Sequence, residues 1–354
     1  MDRKRLLVTS AVLIVFAVLV YFQFRTWRNF DWALFLSQTH RVDKLHIFHG
    51  IVLIYVAYLL RALRWKIFLR PVRPKASTMG MVSPTLVGFA GLALLGRPGE
   101  LIRPYLIARR ENLPFSSQLA VWAVERIFDI GAFTFLLVFA AFFATAPKRL
   151  AHYGSFQQVG MMFSALVVVL ALGAIAVARS GEKLATWVAH RFSHHASNLG
   201  HRIALRIREF RDGLDTIHSF SSLVQLIAVS VVMWAMIAVA YKEVTHAYHQ
   251  EKLDIPQTQV LLLMGSSMVG SLIQLPGVGG GSQLATISML DHIFEVPKEL
   301  AVSCGIMLWL VTFVAVVPVG LLLAHREQLS LRKLSEESHQ QEHAVVIQSD
   351  QHPG

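Results

Sequence analysis

Charged residues are scarce in this chain. Asp, Glu, Lys and Arg make up 16% of its 354 positions, against roughly 25% in a soluble domain, which excludes an ordinary water-soluble globule. Cysteine is nearly absent. The lone Cys304 lies inside an apolar run, so an internal disulfide is excluded and the thiol is expected to serve as a small buried hydrophobe. A working nucleotide loop is missing as well: Gly277-Val278-Gly279-Gly280-Gly281 follows no strand and precedes no Lys-Ser/Thr pair. The 16 histidines, among them His194, His195 and His201, have no Cys or carboxylate at metal-ligand spacing along the chain, so no metal site is expected. No Ser/His/Asp set or paired carboxylates emerge, and neither catalysis nor a cofactor is expected.

Long apolar runs are what the chain has instead. Its residues are 54% hydrophobic with a mean hydropathy of +0.51. Segments 6–24, 47–60, 159–178, 223–241 and 300–324 are each near the length, about 17–25 residues, at which a helix crosses the hydrocarbon of a bilayer. The first follows Arg3, Lys4 and Arg5 with no small-residue cleavage site after it, the pattern of an uncleaved signal anchor. A net charge of +11 could suggest nucleic acid, but the basic residues flank apolar segments, as in loops facing anionic lipid. No nucleic-acid partner is expected.

Lys and Arg in the loops set the threading. Six full crossings, the five above plus 117–144, with 79–96 and 260–293 re-entrant, leave 23 basic residues inside and nine outside. Arg61 to Lys75 and Arg97 to Arg110 count among the inner loops in this scheme. That asymmetry obeys the positive-inside rule and puts both termini in the cytoplasm. Composition agrees: Gly80, Pro84, Gly88, Gly91, Gly96, Pro98 and Gly99 interrupt the first segment, and Gly265, Gly270, Pro276, Gly277, Gly279, Gly280 and Gly281 the second. Broken backbone at membrane depth is tolerated where it is buried in protein or lines a cavity. Each broken segment precedes a long helix with a related opening, Leu119-Ala120-Val121 and Leu300-Ala301-Val302. Opposite entry of two such units fits an inverted repeat. The fold class is therefore all-α and polytopic, in one domain over 1–334. A basic amphipathic cytoplasmic helix is expected at about 182–220, and the polar segment 335–354 is expected to be disordered.

The remaining charges lie within apolar sequence. Arg97-Pro98-Gly99-Glu100 follows 79–96 directly, and Glu125, Arg126 and Asp129 lie inside 117–144. A charge at the bilayer centre costs about 2.5–3.5 kcal/mol on insertion scales, so such residues are paired, hydrated or used. The uncharged remainder 130–144 is only roughly 22 Å long at 1.5 Å per residue, which sets the three charges at the inner edge of the hydrocarbon. Glu125 and Asp129 share a helix face, and Arg126 reaches Asp129 at i+3. One reading is a local Arg126–Asp129 pair that stops the helix sliding. The other has Arg97, Arg103 or Arg126 gripping an anionic headgroup with the arginine fork, oriented by Glu100, Glu125 and Asp129.

These motifs carry a family resemblance. Gly96-Arg97-Pro98-Gly99-Glu100-Leu101-Ile102-Arg103, Ala108-Arg109-Arg110 and Glu125-Arg126-Ile127-Phe128-Asp129 resemble the transmembrane region of lysylphosphatidylglycerol synthases, over about residues 6–324. The second family motif is matched by Pro276, Gly277, Gly279, Gly280 and Gly281, while Ser282 and Gln283 stand where the family carries Arg and Glu. That exchange removes one charge of each sign and argues against a lysyl-lipid substrate. The resemblance implies translocation of a lipid between leaflets through a cleft of broken helices, with those residues and Arg97, Gly99, Glu100, Arg103, Glu125, Arg126 and Asp129 as the substrate-binding set. The sequence ends some 30 residues after the last apolar run, so the soluble synthase domain and its enzyme activity are not expected. Membrane lipids are the expected partners. A membrane partner of a separate soluble transferase, an enzyme of lipid or glycolipid modification, and a small-solute carrier are the alternatives.

Overall fold

In the computed structural model, residues 31–143, 160–170, 219–272 and 280–326 are described, with isolated positions between 154 and 211. All regular structure among them is helical. Asp31 caps the short α1 (Trp32–His40), and Asp43 caps α2 (Lys44–Leu69), its carboxylate accepting from the Leu45 N–H. α3 (Thr78–Leu95) starts at the Ser77 cap and is followed by a 3-10 turn (Arg97–Leu101) and α4 (Ile102–Glu111). α5 (Phe115–Phe143) and α6 (Gly160–Leu170) come next, then α7 (Phe220–His246). The chain continues through α8 (Gln257–Gly270), α9 (Gly280–His292) and α10 (Lys298–Trp309), a π-turn (Leu310–Val314) and α11 (Val317–Arg326). By length and composition α2, α3, α7 and the run Lys298–Arg326 can each cross a membrane.

Two of these segments turn back on themselves. α3 ends at Gly96, whose φ of 70° is a left-handed conformation that a β-carbon would disfavour. The returning α4 then packs antiparallel: Gly88 faces Arg103, Gly91 faces Gly99, and Arg73 just before α3 donates to the carbonyls of Glu111 and Asn112 just after α4. α8 and α9 form a second hairpin. Gly270 sits against Gly281 near the tip, and Lys252 pairs with Glu295 at 3.6 Å across the open end. With 14 and 13 residues, its limbs are roughly 20 Å long, too short to span.

α2 and α7 fix the opposed sense of the two hairpins. They run antiparallel, with Arg64 donating to Ser230 at 2.9 Å near one end and Gly50 packing on Val244 near the other. The first hairpin opens beside the end of α2, around Arg73, and the second opens after the end of α7. Their tips meet in the middle, where Arg97 donates to the backbone carbonyl of Ser271. This agrees with the expected pair of broken segments entering from opposite sides, each followed by a longer helix.

Two corrections apply to the sequence-based threading. Helix α2 does not stop at residue 60 but runs to Leu69, because nothing breaks it before Arg70-Pro71. Arg61 and Arg64, counted above as inner-loop charges, are therefore buried helix residues. Arg97–Glu100, also counted above among the inner loops, sits at the tip of the first hairpin, because the ten residues of α4 form the return limb. Segments 6–24 and 335–354 lie outside the described residues, as does most of 182–220. Within the latter, Glu209 accepts a hydrogen bond from Ser116 at the start of α5.

Packing holds the bundle at both ends. Trp65, Phe68, Met81, Ile107 and Leu226 form a fully buried cluster where α2, α3, α4 and α7 meet. Phe133, Met233, Leu262 and Val244 belong to a larger cluster towards the second hairpin. Pro318 cannot donate to the preceding turn, and the last span is broken there by the π-turn. The tyrosines of α2 take up two carbonyls near this break: Tyr55 donates to Ala315 at 2.8 Å and Tyr58 to Thr312 at 3.2 Å.

Candidate functional site

Glu125 and Asp129, one turn apart on α5, stand at the centre of a buried ionic network. Glu125 is fully buried. It accepts from Arg64 at 2.6 Å and from both terminal nitrogens of Arg103. Asp129 receives Arg64 at 2.8 Å, Arg126 at 3.2 Å, Arg61 at 3.3 Å and the Trp234 indole N–H at 3.1 Å. Arg64 thus spans both carboxylates, a task for which a forked planar cation is suited and an ammonium is not. Aromatic faces share the remaining charge. The Arg61 guanidinium lies 5.0 Å from the centre of the Phe89 ring, and that of Arg103 lies 5.1 Å from the centre of Trp65.

Counting charges decides what the network lacks. Four guanidiniums (Arg61, Arg64, Arg103, Arg126) meet two carboxylates, an excess of two positive charges among the described residues. Nearby, Arg97 and Glu100 neutralise one another at the hairpin tip. Removing a charge from water costs several kcal/mol unless it is paired, so the network is primed for an anion. Arg126 is the arm best placed to receive one. Its side chain is 33% exposed, and its Nε is buried without a hydrogen-bond partner.

The network opens on a cavity of about 380 Å³ between the two hairpins, within the range of small-molecule sites. Its charged wall is Arg61, Arg97, Glu100, Arg126 and Asp129. Hydroxyls of Tyr58, Tyr241, Ser267, Ser271 and Thr312 dot the remainder. The rest is apolar, with Ile54, Phe89, Ile130, Phe163, Ile237, Met264, Met268, Leu272 and Phe313. A polar wall on an apolar chamber matches a molecule with a charged head and a hydrocarbon body.

Of the sequence-derived site residues, Arg97, Glu100, Arg126 and Asp129 line this cavity. Gly99 forms the turn at the tip, packed on the Gly91 backbone. Arg103 and Glu125 form the buried pair behind the wall, so Arg103 is engaged by protein and does not line the main cavity. Gly280, Gly281, Ser282 and Gln283 begin α9, where Ser282 is buried and Gln283 half-buried, and they too are not in the wall. Pro276, Gly277 and Gly279 lie outside the described residues. The second hairpin contributes Ser267, Met268, Val269, Ser271 and Leu272 instead.

Sequence reasoning missed Arg61 and Arg64. The signal was present: the two are spaced i, i+3 directly after an apolar run, and no helix breaker follows until Pro71. The helix should have been carried through them, which would have turned them inward with the apolar face.

The family model of the lysylphosphatidylglycerol synthase TM region matches residues 8–320. No curated protein and no solved structure matches the chain.

Proposed function

The chain belongs to the lysylphosphatidylglycerol synthase TM-region family, a membrane family tied to lipid modification or transport, and from that premise we propose that it carries an anionic lipid between leaflets. One observation supports this reading most: the excess of two buried positive charges beside a cavity whose other walls are apolar. A phosphate on Arg126 and Arg61 offsets that excess, while acyl or isoprenoid chains follow the apolar lining. The opposed hairpins, joined at their tips through Arg97 and Ser271, form the gate: separation at either open end exposes the cavity to one leaflet. In this reading the domain moves lipid and breaks no covalent bond. We assign it to a bacterial plasma membrane with the open end of the first hairpin in the cytoplasm, since Arg70, Arg73, Lys75, Arg109 and Arg110 gather there.

The test is a leaflet-accessibility assay on reconstituted vesicles with a fluorescent anionic phospholipid. Native protein should equilibrate the label between leaflets, while Glu100→Ala and Arg126→Ala should slow it at least tenfold. Equal rates for all three would remove the proposal. A second reading, a membrane partner for a separate lipid-modifying transferase, rests on the synthase in the family's name. It predicts that the reconstituted chain equilibrates the label no faster than protein-free vesicles do.

A further inference from the structure

At the far end of the bundle from the arginine network, four elements bring imidazoles and carboxylates together. Asp43 precedes α2, His46 sits in its first turn, Glu243 and His246 sit in the last turn of α7, and His249 follows in the connecting turn. One donor atom each from Asp43, His46 and His249 can be chosen so that all lie within 4.8 Å of one another. Around a zinc ion, donors held at about 2.0–2.2 Å lie roughly 3.5 Å apart, so rotation of half-buried and exposed side chains closes the remaining gap.

From this geometry we infer a transition-metal site, with Zn²⁺ as its representative ion, formed by Asp43, His46 and His249. Three features support it. The Asp43 carboxylate is already positioned, with one oxygen on the Leu45 N–H at 2.8 Å and the other 3.3 Å from His249 Nε2. Glu243 holds the His46 ring through Nδ1 at 2.7 Å, as outer carboxylates orient ligating histidines and raise their basicity. His249 has φ of 49°, a left-handed conformation uncommon outside glycine, and its ring lies 5.8 Å from that of His46 on α2. Two imidazoles with one carboxylate favour Zn²⁺, Ni²⁺ or Cu²⁺ over Mg²⁺ and Ca²⁺, which prefer all-oxygen shells. His246, its ring centre 5.5 Å from that of His46, stays outside the set, its Nε2 lying 3.2 Å from the Asp254 carboxylate.

Chain spacing conceals this cluster, since His46 and His249 lie 203 positions apart along the sequence. The backbone bond from Asp43 N–H to Ala247 C=O, at 2.8 Å, is what joins the two ends. Bound metal would staple the start of α2 to the exit of α7, the two helices that carry Arg61, Arg64 and Trp234 to the transport site. The inference stands independently of lipid transport.

The test uses the full chain in detergent, stripped with EDTA and titrated with Zn²⁺ against a chromophoric chelator. The native protein should bind one tight equivalent that excess Mg²⁺ does not displace. His249→Ala, an exposed position, and His46→Gln should each weaken that equivalent at least tenfold, with the EDTA-treated thermal midpoint of His249→Ala unchanged. Glu243→Gln should weaken it roughly 10–100-fold, the usual cost of losing an outer carboxylate. His194→Ala combined with His195→Ala should leave it intact. Identical titrations of native protein and His249→Ala, or loss of the tight equivalent in the His194/His195 variant, would overturn the site.

Discussion

Arg97 joins the two hairpins by donating one nitrogen to Glu100 on its own turn and another to the carbonyl of Ser271 on the opposite tip. The bridge needs two donors at fixed separation. A lysine presents a point charge on a flexible stem and cannot reproduce the fork. We therefore expect Arg97→Lys to lose leaflet equilibration nearly as much as Arg97→Ala. Hydrogen bonds to charged groups contribute about 1.5–3 kcal/mol when buried, and the 40% exposure of this side chain sets the effect near the low end, about tenfold in rate. Full rescue by lysine in the vesicle assay would show that the tips are not bridged as described.

Glu125 and Arg126 are adjacent in sequence, yet they should fail differently when mutated. Glu125→Ala leaves Arg64 and Arg103 buried and facing an apolar gap, a change that costs about 3–5 kcal/mol for a buried pair. The expected result is a large fall in thermal midpoint, or loss of the monodisperse peak in size-exclusion chromatography. Arg126 is partly exposed at the cavity wall, and its loss relieves the positive excess. Arg126→Ala should keep a midpoint within a few degrees of native while slowing lipid movement. If both variants unfold equally, the division between scaffold and binding arm is wrong.

Much of this arrangement could be read from residue order, and the parts that could not share one cause. Gly96, Gly99 and Gly270 mark the hairpin tips because tight turns and backbone contact exclude a β-carbon, and that requirement shows in composition. The charges of α5 stood out because they interrupt an apolar run. Arg61 and Arg64 did not, because they follow such a run and look like the basic margin that flanks any span. Their partners lie 61 to 68 residues away along the chain. The spacing of Arg103 and Glu125 likewise says nothing of which arginine faces protein and which faces the cavity. Local signals reveal where the chain bends, whereas charge pairing depends on which helices become neighbours.

The tyrosines beside the π-turn offer a test of the last span's shape. Tyr55 and Tyr58 donate to the Ala315 and Thr312 carbonyls, which flank and belong to the break before Pro318. Each hydrogen bond contributes about 0.5–1.5 kcal/mol. The Tyr55→Phe, Tyr58→Phe double variant should lower the thermal midpoint by a few degrees without changing the hydrocarbon packing. A midpoint equal to native would mean those carbonyls find other partners, and that the turn is not held by α2.

Two glycines should respond to the same substitution with opposite sign. At Gly99 an added β-carbon falls within the backbone of Gly91, so Gly99→Ala must push the 3-10 turn off α3 and displace Arg97 and Glu100 with it. Overpacking of this kind costs about 1–3 kcal/mol or more when the obstructing atoms are backbone. At Gly131, in the middle of α5, a β-carbon meets nothing within 4 Å, and alanine there reduces the freedom of the unfolded chain. Gly131→Ala should stabilise the protein by about 0.4–1 kcal/mol. Gly99→Ala should lower the midpoint and stop lipid movement together, because the tip that closes the cavity is the one that has been moved. Thermal midpoints of both variants decide it: a Gly99→Ala protein as stable as native could not contain a hairpin whose limbs touch at Gly91.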